Sequence, residues 1–293
     1  MKWIVQVEDL QSLPTNEMTM NNLSLLHNLP PIEGNPSTRS TELLKDQAFM
    51  TVIDQLNQTS VVSRITAFTN MGKVDKNIYR LEDNIITVDQ GPKGLVIESP
   101  GNMTHTTDYF MGLLGFSKLS VSSLNCDIGE NEALVLAALM DIRRRSLMTT
   151  MHGIEVEGLK LDVTKDDVLK CLVGPRNRAM VTSFVYGLVD MDISQFTEDM
   201  VASSLMNLME KGLVAMENGI IQLSTSLAAL VDALLVFNCV IRFETVYNSK
   251  EEVFIEKANI LYGAPNAILF IEKSPVGIHL MSIAGAELVR MLN

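Results

Sequence analysis

The side chains of this sequence best suited to chemistry are four histidines, three cysteines and one short histidine-led run. In His105-Thr106-Thr107-Asp108 a carboxylate follows an imidazole closely enough to orient it as a general base. A base needs a nucleophile or a substrate proton within reach, and no serine or cysteine in a strained turn accompanies this run. Capping a helix is the simpler use. His105 and His152 lie in polar or glycine-flanked stretches, His27 and His279 lie among apolar neighbours, and none has a second ligand three or four residues away. Cys126, Cys171 and Cys239 are far apart and odd in number, which suits small buried hydrophobes in a reducing compartment. GxxxxGK[ST], GxSxG, HExxH, paired CxxC and a strand-borne GxGxxG are all missing. The expectation is a protein with no catalytic residue, cofactor or metal, an enzyme of unrecognised type being the remote alternative.

Charge narrows the partners further. Among 293 residues, 23 Lys+Arg stand against 35 Asp+Glu, a net charge of -12 whose field repels phosphate backbones and anionic lipid. Nucleic acid is therefore not an expected partner. Glu8 and Asp9 interrupt MKWIVQVEDL where a signal peptide needs its apolar run. Gln222, Ser224, Ser226, Asp232 and Asn238 break the most apolar stretch, Ile220 to Ile241, so no membrane span is expected and the chain reads as cytoplasmic. With 47% hydrophobic and 20% charged residues it can bury a core.

These elements would position any site. Leu29 to Ser40 is rich in proline and reads as a loop. The apolar spacing predicts a helix after a Ser40/Thr41 cap that reaches Leu56, then strands at Val61 to Thr69, Ile78 to Leu81, Ile85 to Val88 and Leu95 to Glu98, then a helix from Thr104 to Leu114. Further helices are predicted at Glu130 to Arg145, Thr164 to Leu172, Arg176 to Leu188 and Gln195 to Lys211, the last capped by Thr197. Asn218-Gly219 between apolar arms predicts a type I′ hairpin. A helix from Ser226 to Leu235, strands at Val240 to Tyr247, Glu252 to Tyr262, Ala267 to Ile271 and Gly277 to Met281, and a helix from Ser282 to Leu292 complete the chain.

The order helix, three or four strands, helix occurs twice, and punctuation residues agree. Asp89-Gln90-Gly91-Pro92-Lys93-Gly94 and Glu272-Lys273-Ser274-Pro275-Val276-Gly277 share one pattern. Tyr79 matches Tyr262, Asn84 matches Asn266, and Val52-Ile53-Asp54-Gln55-Leu56 matches Leu230-Val231-Asp232-Ala233-Leu234. The expected fold is α+β, with two pseudo-repeated αβββα units around antiparallel sheet, a helical layer and a winged-helix-like segment. The expected halves are 1–120 and 121–293.

Three weaker signals bear on partners. Arg143-Arg144-Arg145 at a helix end complements the dipole. Methionines cluster at Met148, Met151, Met191, Met200, Met206, Met209 and Met216, where core filling competes with an adaptable binding surface. The helix and hairpin from Gln195 to Leu223 resemble a winged helix, but Glu198, Asp199 and Glu210 work against DNA reading, which leaves a winged-helix transcriptional regulator or another protein-interaction module as the alternative function.

From Glu210 to the end, the succession of a short hairpin through Asn218-Gly219, a Leu/Ala helix, four strands and a terminal helix resembles the EspG-like chaperones of type VII (ESX) secretion systems. That resemblance, one of element order over Thr41 to Leu292, implies a cytosolic, non-enzymatic chaperone or adaptor that binds helical WXG- or LXG-type secreted proteins, itself a monomer or homodimer. It implies a partner-binding face near Tyr247 to Phe254 and Tyr262 to Asn266, for which Tyr247, Phe254, Tyr262 and Asn266 are the candidate residues.

Overall fold

The computed structural model describes residues 1–11, 13, 25, 42–69, 72–81, 84–99, 120, 122–151, 162–175, 180–189, 191–192, 195–248, 253–263 and 267–292. The expected loop Leu29 to Ser40, the Ser40/Thr41 cap, the helix Thr104 to Leu114, His105, His152 and Asn266 lie outside them. The chain is α+β and forms two compact units, Met1–Tyr109 with Ile241–Lys257, and Phe110–Val240 with Ala258–Asn293.

In the first unit, β1 (Lys2–Val5) leads through α1 (Val7–Gln11) to α2 (Gln47–Gln58) and the strands β2 (Val61–Thr69), β3 (Gly72–Leu81), β4 (Asn84–Gly91) and β5 (Gly94–Glu98). Most of β9 (Cys239–Asn248) and the start of β10 (Val253–Tyr262) also belong to it. Its strand order is β1-β5-β4-β3-β2-β9. β1 to β5 pair antiparallel along that order, and β9 runs opposite to β2, with Asn248 N–H donating to Ser60 O at 2.8 Å and Ser63 Oγ 3.0 Å from Thr245 Oγ1. α2 presses Phe49, Val52, Ile53 and Leu56 onto Val5, Tyr79, Ile86, Val88 and Ile97.

The expected helix is interrupted: Glu42 and Leu43 are helical, Leu44 and Lys45 turn, and α2 starts afresh after the cap Asp46. One carboxylate oxygen accepts from Ala48 N and Phe49 N at 3.0 and 3.1 Å, and the other accepts from the Trp3 indole N–H at 3.0 Å. The Trp3 hydrogen bond, followed by that from Phe49 N, holds the Asp46 carboxyl below its ordinary value of 3.8. A depressed carboxyl stabilises the fold above its unfolded pKa and loses that contribution as pH falls through its folded pKa. Urea denaturation of Asp46→Ala should therefore show a lower midpoint than the parent at pH 7, with the two curves converging below about pH 3.8.

The second unit is built on α3 (Glu130–Met151), preceded by β6 (Asn125–Ile128). Every residue from Ala133 to Asp141 is buried, because α4 (Lys165–Val173), α5 (Val181–Tyr186), α6 (Glu198–Glu210) and α7 (Thr225–Ala233) pack around this helix. The hairpin β7 (Val214–Glu217) and β8 (Ile220–Leu223) turns at Asn218 and Gly219, whose φ values of 52° and 81° are those a type I′ turn requires. β11 (Ile268–Ser274) and β12 (Gly277–Ile283) follow, then α8 (Gly285–Leu292). The order here is β10-β11-β12-β6, antiparallel throughout.

Chain order repeats as a helix and four strands, α2-β2-β3-β4-β5 and α7-β9-β10-β11-β12. An earlier strand lies beside the last of each set, β1 on β5 and β6 on β12. Phe49 to Leu56 and Leu227 to Leu234 share the same buried, intermediate and exposed sequence residue by residue. The proline turns correspond too, with Gly91 opposite Gly94 and Ser274 opposite Gly277. In that register Tyr79, opposite Ile86, corresponds to Leu261, opposite Leu269, so the match of Tyr79 with Tyr262 is one residue out.

Gly94 and Gly277 have φ values of 121° and 138°. A Cβ on Gly94 would meet Val5 O and one on Gly277 would meet Ile128 O, both closer than 3.0 Å, and both carbonyls end the earlier edge strand of their set. Gly94→Ala and Gly277→Ala should each destabilise the protein by about 2 kcal/mol or more in urea, since alanine is incompatible with both the dihedral and the carbonyl.

Candidate partner-binding site

In the first unit Val253, Phe254 and Ile255 open β10 with 54%, 52% and 54% of their surface exposed. Side chains alternate across a strand, so Val253 and Ile255 point to one face and Phe254 to the other, and neither face is covered. Glu256 and Lys257 are exposed as well. Along one edge Val253–Lys257 lies beside β9.

Tyr247 lies on the same hairpin, half-buried, and donates its hydroxyl to Glu256 Oε2 at 2.9 Å. Partial burial, then the Glu256 carboxylate, push its phenol above the ordinary value. Tyr247 thus fastens the arm, and Phe254 is the residue presented. Tyr262 belongs to the second unit, where it is half-buried and its carbonyl accepts from Asn238 N at 2.8 Å. Tyr247 and Phe254 thus share one hairpin of the first unit, and Tyr262 belongs to the second. Ile255, outside the expected range, is as exposed as Phe254, and the unalternating Val-Phe-Ile run is the signal that marks it.

The corresponding strand start in the first set looks different. β3 pairs with β4 only from Lys76, so Gly72–Asp75 has an open edge. There Lys73 Nζ meets Asp75 Oδ2 at 2.6 Å, and Thr66 donates to Asp75 Oδ1 at 2.6 Å. Partial burial opposes ionisation of Asp75, but hydrogen bonds from Lys73 and Thr66 hold its pKa below the ordinary value. Charge on an open edge is how proteins deter strand addition. β10 carries three large apolar residues at the same place.

The helical layer of the second unit corrects one sequence expectation. α3 continues to Met151, so Arg143, Arg144 and Arg145 lie within it rather than at its end. Arg143 makes a bidentate pair with Asp232 at 2.6 and 2.7 Å, Arg144 is buried, and Arg145 reaches Cys171 Sγ at 2.8 Å. Met151, Met206 and Met216 are exposed, and Met148, Met191, Met200 and Met209 are half-buried. Cys171 and Cys239 are buried and Cys126 is half-buried, all three as free thiols. Burial pushes both Cys171 and Cys239 to about 11.

The winged-helix-like segment is completed by Val163, which bridges antiparallel to Ile221 of β8. The exposed side of α6 carries Glu198, Asp199, Ser203, Met206 and Glu210, and the nearby Lys211 donates to Asp127 O at 2.6 Å. That surface repels phosphate. Beside the wing lies a cleft of about 250 Å³ whose lining includes Leu139, Leu147, Val163 and Ile221 with Arg143 and Gln222. Among the described residues no group of three or more His, Cys, Asp or Glu can hold a metal ion, and no helix is long and apolar enough to cross a membrane.

Fold and site together define an α+β protein with a repeated helix-and-strand unit and a presented apolar arm. No family model matches the chain, and no curated protein matches it. Among solved structures it is similar to the Mycobacterium tuberculosis type VII secretion system chaperone EspG5, in complex with the PE25-PPE41 dimer. The identity is 8% and the TM-score 0.48, over 99% of this chain and 94% of that one.

Proposed function

We propose that this chain is a non-enzymatic, cytosolic chaperone or adaptor that holds helical WXG- or LXG-type clients of a type VII secretion system until export. The observation that carries the reading is the Val253-Phe254-Ile255 arm, where three consecutive large apolar side chains stand in solvent on a strand fixed by Tyr247. An apolar patch maintained in water is a cost unless a partner covers it. The client class comes from the EspG-like element order, and the exposed methionines offer a second adaptable surface for helical partners. We take Tyr247 and Phe254 as primary site residues, Tyr262 and Asn266 as secondary ones, and 1–120 and 121–293 as the two halves of the duplication.

Copurification from the native host tests this directly. Tagged full-length chain should retain a small helical secreted protein. Recovery of no such protein, in cells where the candidates are demonstrably present, would contradict it.

A further inference from the structure

The hairpin turn of the second unit holds a reactive pair. Of the asparagines in this chain, Asn218 is the one followed by glycine. Both residues are exposed, and a Cβ on Gly219 would meet nothing within 4 Å. In a type I′ turn the hydrogen bonds across the loop join Glu217 to Ile220, so the Gly219 N–H is left to solvent. Neither it nor the Asn218 side-chain amide has a hydrogen bond among the described residues. Rotation about the Cα–Cβ bond and about ψ of Asn218 brings its Cγ to the Gly219 nitrogen, and glycine puts no side chain in the way.

We propose that Asn218 is a modification site that deamidates spontaneously in the folded chain, giving aspartate and isoaspartate at the tip of the hairpin. The Gly219 nitrogen gives up its proton to water and attacks Asn218 Cγ. The new C–N bond closes a five-membered succinimide ring, the Cγ–Nδ2 bond breaks, and the amide nitrogen leaves as ammonia. Water then opens the ring at either carbonyl. Attack at Cγ restores the normal backbone as aspartate, and attack at the main-chain carbonyl leaves isoaspartate, whose chain runs through Cβ and Cγ. The fold lets the tip open for this step, because the arms are held away from the turn: Ile221 N donates to Val163 O at 2.8 Å and Ser224 N to Leu213 O at 2.9 Å. Opening costs little where only solvent-exposed backbone hydrogen bonds break. The two products then differ. Aspartate followed by glycine also suits a type I′ turn, whereas isoaspartate adds a main-chain carbon to a two-residue loop and takes Glu217 out of register with Ile220. Either product adds one negative charge to a chain whose net charge is -12.

The test ages the full chain in buffer at about pH 7 and about pH 8. Isoelectric focusing should show an acidic band that grows about tenfold faster at the higher pH, because the attacking nitrogen must first lose its proton. Peptide mapping should place a mass gain of about 1 Da on Asn218, and an isoaspartyl methyltransferase should label the same peptide. A synthetic peptide of the hairpin, Val214 to Leu223, sets the reference rate, and the full chain should convert within about tenfold of it. Asn218→Gly, which accepts the positive φ, should keep the parent's melting midpoint and lose the band. Asn218→Asp should carry the charge from the start and also keep the midpoint, whereas the isoaspartyl fraction of the aged chain should melt lower. A chain intact at Asn218 after the peptide has fully converted, a mass gain confined to other residues, or an acidic band undiminished in Asn218→Gly would each overturn the assignment. An isoaspartyl fraction that melts with the parent would overturn the effect on the turn.

Discussion

Asp141→Ala should cost about 4 kcal/mol of stability, the largest loss expected from a single substitution in the helical layer. Asp141 and Arg144 form a buried pair at 3.2 Å, with side chains 2% and 6% exposed. The carboxylate also accepts from Val181 N at 2.8 Å, from Thr182 N at 2.9 Å and from Thr182 Oγ1 at 2.9 Å. It therefore caps α5, whose own N-cap residue, Met180, makes no side-chain cap hydrogen bond. Arg144 in turn donates to Leu234 O and Leu235 O at 2.9 and 3.0 Å and lies 4.0 Å over the Phe237 ring, tying the end of α7 to α3. Burial pulls the Arg144 guanidinium below its ordinary value, and Asp141 opposes that pull. Removing the carboxylate takes the Asp141 charge away from a buried cation and leaves two helix-start N–H groups without this acceptor. Urea denaturation should show the loss as a lower midpoint. The double variant Asp141→Ala, Arg144→Met should recover part of it, because the uncompensated charge is then gone.

Phe254→Asp should weaken client binding by about 100-fold while leaving the thermal midpoint nearly unchanged. Phe254 makes no contribution to a buried core, so a charge there costs the fold little. In a complex, the same ring is the type of central aromatic anchor whose loss removes about 2–4 kcal/mol of affinity. Titration calorimetry with a purified client and a parallel melting curve separate the two effects. A large fall in melting temperature would show instead that Phe254 supports the fold, and the site reading would fail with it.

How far the sequence reveals this molecule depends on whether each feature is set locally. Asn218-Gly219 sets its hairpin through two positive φ values, Thr197 accepts from Met200 N to cap α6, and β2 runs from Val61 to Thr69 as its β-branched pattern predicts. The repeated proline turns are legible because Gly94 and Gly277 are required by φ and by a facing carbonyl. The start of α2 is not legible in the same way, since the choice of Asp46 as cap involves Trp3, far away in sequence. The polar end of α3 was underestimated for a related reason. Thr149 and Thr150 turn their hydroxyls back to Arg145 O and Ser146 O within the helix, satisfying groups that would otherwise compete with it.

Of the candidate residues, Phe254 is exposed, Tyr247 is half-buried and bonded to Glu256, and Tyr262 belongs to the other unit; burial and bonding of this kind are not legible in residue type alone. What presents Phe254 is its place at the start of β10, on a strand that lies beside β9. That is a non-local fact, and no window of sequence around Phe254 contains it.

The central claim is that the arm holds a helical client, and size-exclusion chromatography with light scattering tests it most directly. Full-length chain would be mixed with candidate small helical secreted proteins, in parallel with Phe254→Asp. The expected result is a complex of defined stoichiometry with the parent chain and none with the variant at the same concentrations. A parent chain that elutes without every candidate, or a variant that binds as well as the parent, would contradict it.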